Sequence, residues 1–359
     1  MKKVLCFIDS LGAGGAQRQL VGLAVMLQRA GYKVKVCTYY NIDFYKNYLD
    51  DNHVENELIP NAGNAKKRIW AVRQYFKREK PDWVIAYQET PSLVACAAKL
   101  LGCNYKLIVS ERNTTQHVGM NERVRFFLYH WANAIVPNSY AQERFLINHH
   151  PWMKKKVTTI TNFVDLEQFV FVKKEKRECP LIVVAATIWP PKNTLGLIEA
   201  AKLLKDRGEN FLIEWFGLSE LNTDYQNQCL QLIEEYDLGE CIKLLPKTKH
   251  IQEKYKDCDF FCLPSFYEGT PNVICEAIAC GRPVLCSCVC DNPYYVSEDK
   301  NGFLFNPNSC KSIVDAFLRA FRMKEDEYER FCQNSRKNAE RMLSDVAFLN
   351  KYINIINNE

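Results

Sequence analysis

The chain has no apolar run long enough to cross a bilayer. Its longest, such as residues 181–189, are of strand length and well short of the ~20 residues a spanning helix needs. It has no internal repeat, and His117, His130, His149, His150 and His250 show no metal-ligand spacing. Neither sign of charge dominates, because 47 Lys and Arg stand against 42 Asp and Glu. The resulting +5 is too small for this length to point to nucleic acid. At the amino end, residues 4–8 run directly into Asp9 and a glycine loop, leaving no room for a signal-peptide apolar region and cleavage site. The protein is therefore expected in the cytoplasm.

Cysteine is plentiful, at 16 residues, but it lies inside apolar stretches such as 34–37 and 260–263, which reads as reduced, buried thiols rather than a disulfide framework. Cys286, Cys288 and Cys290 alternate, as ligands on one face of a strand would. Small hydrophobes filling a sheet face are the simpler reading, and no metal is expected.

At 359 residues the chain exceeds what one hydrophobic core usually serves, so two α/β domains are expected. Residues 4–8 form a continuous apolar run, the pattern of a parallel strand buried on both faces, followed by Gly12, Gly14 and Gly15. Leu20, Leu23, Ala24 and Leu27 then recur at helical spacing, Gly31 supplies a left-handed stop, and strand character resumes at 33–39. Alternation continues with strands at 83–87, 106–109, 134–137 and 156–160 and helices at 91–101 and 123–131. A charged stretch at 173–178 reads as a linker. The pattern restarts with strand 181–185, helix 194–206, strand 211–216, helix 225–236 and strand 242–245. Helices fill the chain from 315 onward, the last with a stripe of Val346, Leu349, Tyr352 and Ile353. The basic segment carrying Lys66, Lys67, Arg68, Arg73, Lys77, Arg78 and Lys80 with Trp70, Tyr75 and Phe76 reads either as a helix covering the sheet or as one lying on anionic lipid.

The chemistry concentrates in residues 264–283. Residues 259–263 read as a buried strand, Thr270 as an N-cap, Pro271 as the first helical residue and Gly281 as the stop before a strand at 284–288. A helix that begins at the carboxyl edge of a parallel sheet offers its free N–H groups to an anion such as a diphosphate. Glu268 before the helix and Glu276 within it can accept hydrogen bonds from different hydroxyl groups.

Tyr-Glu-Gly-Thr-Pro-Asn-Val-Ile-Cys-Glu-Ala-Ile-Ala-Cys-Gly-Arg-Pro-Val, with Glu268 and Glu276 eight residues apart, resembles the signature of family-4 (group 1) retaining glycosyltransferases. The likeness extends to the N-terminal glycine loop, to residues 160–165, to Lys192 and to residues 301–304. It implies a GT-B architecture, two Rossmann-like domains facing each other across a cleft. Residues 1–168 would form the acceptor-side domain and 169–340 the nucleotide-sugar domain, with 341–359 packing back on the first. It also implies that Glu268 contacts the donor sugar and Glu276 the ribose, and that Gly269, Thr270 and Asn272 meet sugar and phosphate. Lys192 would neutralise the departing diphosphate, Gly14 and Gly15 would approach the donor phosphates, and backbone near Pro246 and Lys247 would meet the base. No cofactor is implied.

Two positions depart from the family pattern. Thr187 stands where the family carries an Arg, and Arg112 is a candidate replacement. Glu111, in Ser110-Glu111-Arg112-Asn113, takes the place of a family His, where a carboxylate is expected to orient or deprotonate the acceptor hydroxyl. Arg112 and Asn113 are expected beside it.

The expected reaction moves a hexose or N-acetylhexosamine, from UDP by preference, to a hydroxyl of a bacterial surface glycan or its lipid-linked precursor. Peripheral contact with the cytoplasmic face of the inner membrane would accompany it, and no nucleic acid is involved. A nucleotide-sugar epimerase and a non-catalytic nucleotide-sugar-binding protein are the alternatives. A nicotinamide dehydrogenase fits less well, because Tyr39-Tyr40-Asn41 follows the second strand where a ribose-binding acid belongs.

Overall fold

The computed structural model describes residues 1–112, 115, 118–220 and 223–358. Two runs of alternating strand and helix make two units, Met1–Phe163 with Asp345–Glu359, and Val164–Ser344.

The first unit opens with β1 (Lys3–Phe7), α1 (Gly15–Arg29), β2 (Lys33–Thr38), α2 (Lys46–Asp51), β3 (Glu55–Leu58) and α3 (Ala65–Glu79). It continues with β4 (Trp83–Tyr87), α4 (Glu89–Leu100), β5 (Lys106–Glu111), α5 (Met120–Leu128), β6 (Ala134–Pro137) and α6 (Tyr140–His149). The strands form a six-stranded sheet in the order β3-β2-β1-β4-β5-β6. All its pairings are parallel. β1 and β4 are central and buried on both faces, hence their continuous apolar sequences. Gly31 ends the turn after α1 at φ 88°, a value that favours glycine.

One sequence expectation changes here, one strand was not read, and an open reading is partly answered. The edge strand β3, Glu-Asn-Glu-Leu, carries no apolar run that would announce it. Residues 156–160 form no named strand, only a bridge from Val157 to Ile135. On α3, Tyr75 and Phe76 are buried in the sheet's cover, while Trp70 is exposed among the basic residues of the outer face.

The second unit runs β7 (Leu181–Ala185), α7 (Thr194–Asp206), β8 (Leu212–Leu218), α8 (Thr223–Glu235), β9 (Ile242–Pro246) and α9 (Ile251–Asp257). Then come β10 (Phe260–Leu263), α10 (Asn272–Ala279), β11 (Val284–Ser287), α11 (Asn292–Tyr295), β12 (Gly302–Phe305), α12 (Cys310–Phe321) and α13 (Glu325–Leu343). Its six-stranded sheet has the order β12-β11-β10-β7-β8-β9, again parallel throughout. Each sheet reverses its direction of growth once, between β1 and β4 in the first and between β7 and β10 in the second. Such a reversal leaves a crevice at the carboxyl ends of the two strands, where ligands bind in open α/β sheets.

The last helix, α14 (Asp345–Asn358), belongs to the first unit and packs on α1. Its buried stripe is Phe348, Tyr352 and Ile356, at i, i+4 and i+8; of the stripe read from sequence, Tyr352 is buried and Leu349 and Ile353 pack against the core, while Val346 is exposed. No helix among the described residues is long and apolar enough to cross a membrane. β11 ends at Ser287, so Cys286 is buried in it while Cys288 lies exposed beyond it.

Candidate active site

The site in the second unit begins with the turn that leaves β7. Trp215 on β8 donates its indole N–H to the Ala186 carbonyl at 2.7 Å. Gly217 allows that approach, since a Cβ there would lie 1.8 Å from the same oxygen. Pro190–Lys192 form a 3-10 turn, and Asn193 follows in the left-handed region at φ 57°, its amide donating to the Pro307 carbonyl at 3.0 Å. Lys192 therefore projects from a braced turn at the carboxyl end of β7.

Glu268 rises from the neighbouring loop, between β10 and α10. The Phe266 N–H donates to the Pro191 carbonyl at 2.9 Å, tying the two loops together. Lys192 Nζ lies 2.6 Å from Glu268 Oε1, which also accepts from the Ser265 hydroxyl at 2.6 Å. Both side chains are mostly buried, 24% and 12% exposed, so the pair stands in a partly desolvated crevice where charge acts more strongly than in bulk water. The Glu268 N–H is 3.4 Å from Cys290 Sγ. These contacts bring two sequence candidates together at the point where the sheet reverses.

α10 starts at Asn272, one residue later than the sequence reading. Pro271, not Thr270, is its cap residue and supplies no side-chain hydrogen bond, while Thr270 is buried before it. The helix amino end thus lies beside Glu268 in the chain, at the carboxyl end of β10. Glu276 lies a turn further in and is 5% exposed, and Tyr255 donates to its Oε2 at 3.3 Å. Burial, and then the Glu276 carboxylate, push the Tyr255 hydroxyl well above its ordinary pKa. Gly281 turns the chain at φ 76° after the helix. Pro246 and Lys247 are exposed at the carboxyl end of β9, two strands from β7 in the sheet. Gly269 and Asn272 are half-buried beside Glu268 in the chain.

In the first unit, Gly14 caps α1 and Gly15 is its first residue. A Cβ on Gly14 would fall 2.1 Å from the Gln17 amide oxygen, and Gln17 Nε2 in turn donates to Asp9 at 3.1 Å. Glu111 ends β5 fully enclosed. Tyr129 donates to its Oε1, Gln142 to its Oε2 at 3.3 Å, and Arg125 Nε lies 3.2 Å away. Burial raises its pKa, against the opposing pull of Arg125 and Tyr129. A carboxylate so enclosed does not reach an acceptor hydroxyl, which corrects the expectation of direct contact.

Arg112 is corrected as well. It is buried, donating to Asn162 Oδ1 and to Ser110 Oγ at 3.4 Å, with its guanidinium 4.5 Å from the centre of the Tyr87 ring. A guanidinium held this way is not on hand as a second phosphate clamp. Asn113 lies outside the described residues. Thr187, at the position of the family Arg, is half-buried. Among the described residues no cluster of His, Cys, Asp and Glu could hold a metal ion. Sequence reading passed over Asp9, Gln88, Glu89 and Arg125, whose one signal was the place of the first three just beyond strand ends.

Comparison with known proteins bears on the same residues. Residues 166–338 match the glycosyl transferases group 1 family and residues 13–168 match glycosyltransferase family 4. Over 318 residues the chain is 24% identical to a Campylobacter jejuni N-acetylgalactosamine-N,N'-diacetylbacillosaminyl-diphospho-undecaprenol 4-alpha-N-acetylgalactosaminyltransferase, covering 80% of this chain and 81% of that one. Over 180 residues it is 30% identical to an Escherichia coli UDP-Gal:alpha-D-GlcNAc-diphosphoundecaprenol alpha-1,3-galactosyltransferase, covering 46% and 45%. A glycosyltransferase from Rickettsia africae superimposes over 100% of both chains with a TM-score of 0.87 at 16% identity. Anabaena HepE, solved with UDP and glucose, superimposes over 100% of both with a TM-score of 0.83 at 18% identity. At such identities the structures speak for the GT-B-like fold alone. With matched families spanning residues 13–338 and the Glu268–Glu276 signature in place, the chain belongs to the family-4, group 1 glycosyltransferases, which are retaining enzymes.

Proposed function

We propose that the protein transfers a hexose or N-acetylhexosamine from a UDP-sugar to a hydroxyl of a lipid-linked glycan during bacterial surface polysaccharide synthesis. The observation that carries this reading is the Lys192–Glu268 pair, 2.6 Å apart at the β7–β10 reversal and close in sequence to the amino end of α10. As a diphosphate enters, Lys192 exchanges Glu268 for phosphate oxygens, and Glu268 is released to accept from the donor sugar's hydroxyls. Glu276 takes the ribose after parting from Tyr255. Gly269, Thr270 and Asn272 line sugar and phosphate, and Pro246 and Lys247 stand by the base. As the glycosidic bond breaks, charge builds on the diphosphate, where a fixed cation and a helix amino end stabilise it by a few kcal/mol each, order of magnitude. The lipid-linked acceptor draws support from the named substrates of the Campylobacter and Escherichia enzymes. The exposed basic face of α3, with Trp70 beside a groove of about 850 Å³, suits peripheral contact with anionic lipid at the inner membrane.

A thermal-shift panel of nucleoside diphosphates and their sugars tests the donor. One nucleotide series should raise Tm by mass action, and a flat response to every member would overturn the proposal. Turnover of donor without acceptor distinguishes an epimerase. An intact biological role in a Glu268→Ala strain would mark a binding protein without catalysis, a reading that Thr187 in the Arg position keeps worth testing.

A further inference from the structure

At the reversal of the first sheet, beyond β1, β2 and β4, lies a pocket of about 220 Å³ bounded by Asp9, Tyr40, Arg68, Gln88 and Glu89. Its volume is below the ~300–1,000 Å³ of sites for drug-sized ligands, so it suits a single ring. Gln88 sits in its wall at φ 74°, ψ 167°, a backbone region almost reserved for glycine. With its amide nitrogen toward Asp9, Gln88 donates to both carboxylate oxygens at 3.1 Å and accepts from Gln17 at 3.2 Å. A strained residue locked onto a half-buried carboxylate is the kind of preorganisation that marks a binding site.

The second carboxylate is braced from within the fold. Glu111 is 0% exposed and Arg125 4%, while Glu89, 2.9 Å from Arg125 Nη1, is 43% exposed. The three form a line from the sealed interior to the pocket, so Glu111 fixes Arg125 and Arg125 fixes Glu89. On the opposite wall Arg68 lies over the rings of Tyr39 and Tyr40, its guanidinium donating to the Tyr40 hydroxyl at 2.8 Å and to the Ala62 carbonyl at 3.2 Å. Both of these acceptors are neutral, so Arg68 keeps its positive charge in the wall, and the Tyr40 ring, 45% exposed, offers an apolar face with a polar edge.

Resting on the transfer reading above, we infer that this pocket binds the acceptor's terminal ring as a neutral, hydroxyl-rich sugar. Asp9 and Glu89 accept its hydroxyl hydrogens, Tyr40 packs against its C–H face, and Glu111 serves as a positioning residue acting through Arg125. With two carboxylates against one guanidinium in its lining, the pocket disfavours a uronic acid or a phosphorylated ring in the same place.

The test uses the full chain, saturation-transfer NMR with methyl N-acetyl-α-D-glucosaminide and methyl α-D-glucuronide, and UDP thermal shifts in parallel. The neutral glycoside should bind and the glucuronide should not. Glu89→Gln should weaken the neutral glycoside about tenfold, since a hydrogen bond to a charged group is lost. Thr90→Trp, which fills the pocket from its exposed rim, should abolish binding. The UDP shift should be unchanged in both. Glu111→Gln should raise the acceptor KM in the wild-type background and add nothing to Glu89→Gln; a merely structural Glu111 would lower Tm in both backgrounds and leave KM alone. Equal binding of the neutral glycoside by wild type and variants, or of both glycosides by wild type, would overturn the inference while UDP binding stands. Absence of any nucleotide shift would instead overturn the transfer reading, and this inference with it.

Discussion

Lys192 and Glu268 occupy each other in the free protein, and the same proximity poises them for a donor. On the proposed reading, replacing Lys192 by Ala removes a cation from the leaving group without opening the core, since the side chain is about a quarter exposed. Loss of one such stabilising group lowers kcat by about 10²–10³-fold, and steady-state assays at saturating donor should show that with Tm nearly unmoved. Arg282 poses the opposite case. It is fully buried and donates to the carbonyls of Cys280, Cys258 and Val172, which close the end of α10. Arg282→Leu strands those acceptors at about 1–3 kcal/mol apiece, so the urea midpoint should drop severely. An unchanged midpoint would show that water replaces the guanidinium.

Elements are held by contacts that propensity alone would misjudge. Gly22 lies inside α1, where Ala would gain up to ~1 kcal/mol of helix propensity. Its Cβ, however, would lie 2.4 Å from Phe163 Cζ. Phe163 is pinned by Gln19, whose amide accepts from the Phe163 N–H at 3.0 Å and donates to its carbonyl at 2.8 Å, and its ring packs on Phe348 at 4.9 Å. Overpacking costs ~1–3 kcal/mol and wins, so Gly22→Ala should destabilise the first unit in denaturant titration. Along β3 and α3, burial tends to raise the Glu57 pKa, but hydrogen bonds from Arg78, Tyr75 and Lys35 outweigh it and hold the carboxyl below its ordinary value. A lowered folded pKa contributes stability above the unfolded pKa and loses it as pH falls through the folded one. Glu111, raised by burial, has the opposite sign: its ionised form costs stability at neutral pH, and that cost is relieved on acidification. Hydrogen-exchange protection across β3 and α3 should therefore fall as pH drops below the ordinary carboxylate range and Glu57 protonates. The partly exposed pairs should weaken further in high salt.

For the molecule as a whole, the chain's last helix completes the unit that its first strand begins. Phe348, Tyr352 and Ile356 enter the core beside β1 and α1, and the Tyr352 and Tyr87 hydroxyls meet at 2.7 Å. At ~1.5–3 kcal/mol for each buried side chain, their removal approaches the whole stability of a domain. Truncation after Ser344 should unfold the first unit while the second keeps a cooperative transition, as a calorimetric trace with the second unit's event alone or one lost set of slow amides would reveal.

Much of this was present in the amino-acid order itself. β4, β6, β7 and α7 begin and end where apolar runs and turn residues say, and for the central strands β4 and β7 the reason is that a parallel strand buried on both faces must be apolar on both. The Glu268–Glu276 spacing pointed to the family that the matched models show. Edge strand β3 escaped notice since half of its surface is solvated and its alternation is weak. Glu111 read as a carboxylate meeting the acceptor hydroxyl because Arg125, Tyr129 and Gln142, from α5, the turn after it and α6, close over it only when the chain folds. Sequence thus determined which segments become strand or helix and which chemical groups sit at strand ends. Which of those groups face a ligand and which brace one from behind was decided by packing, since burial and hydrogen-bond partners come from residues distant along the chain.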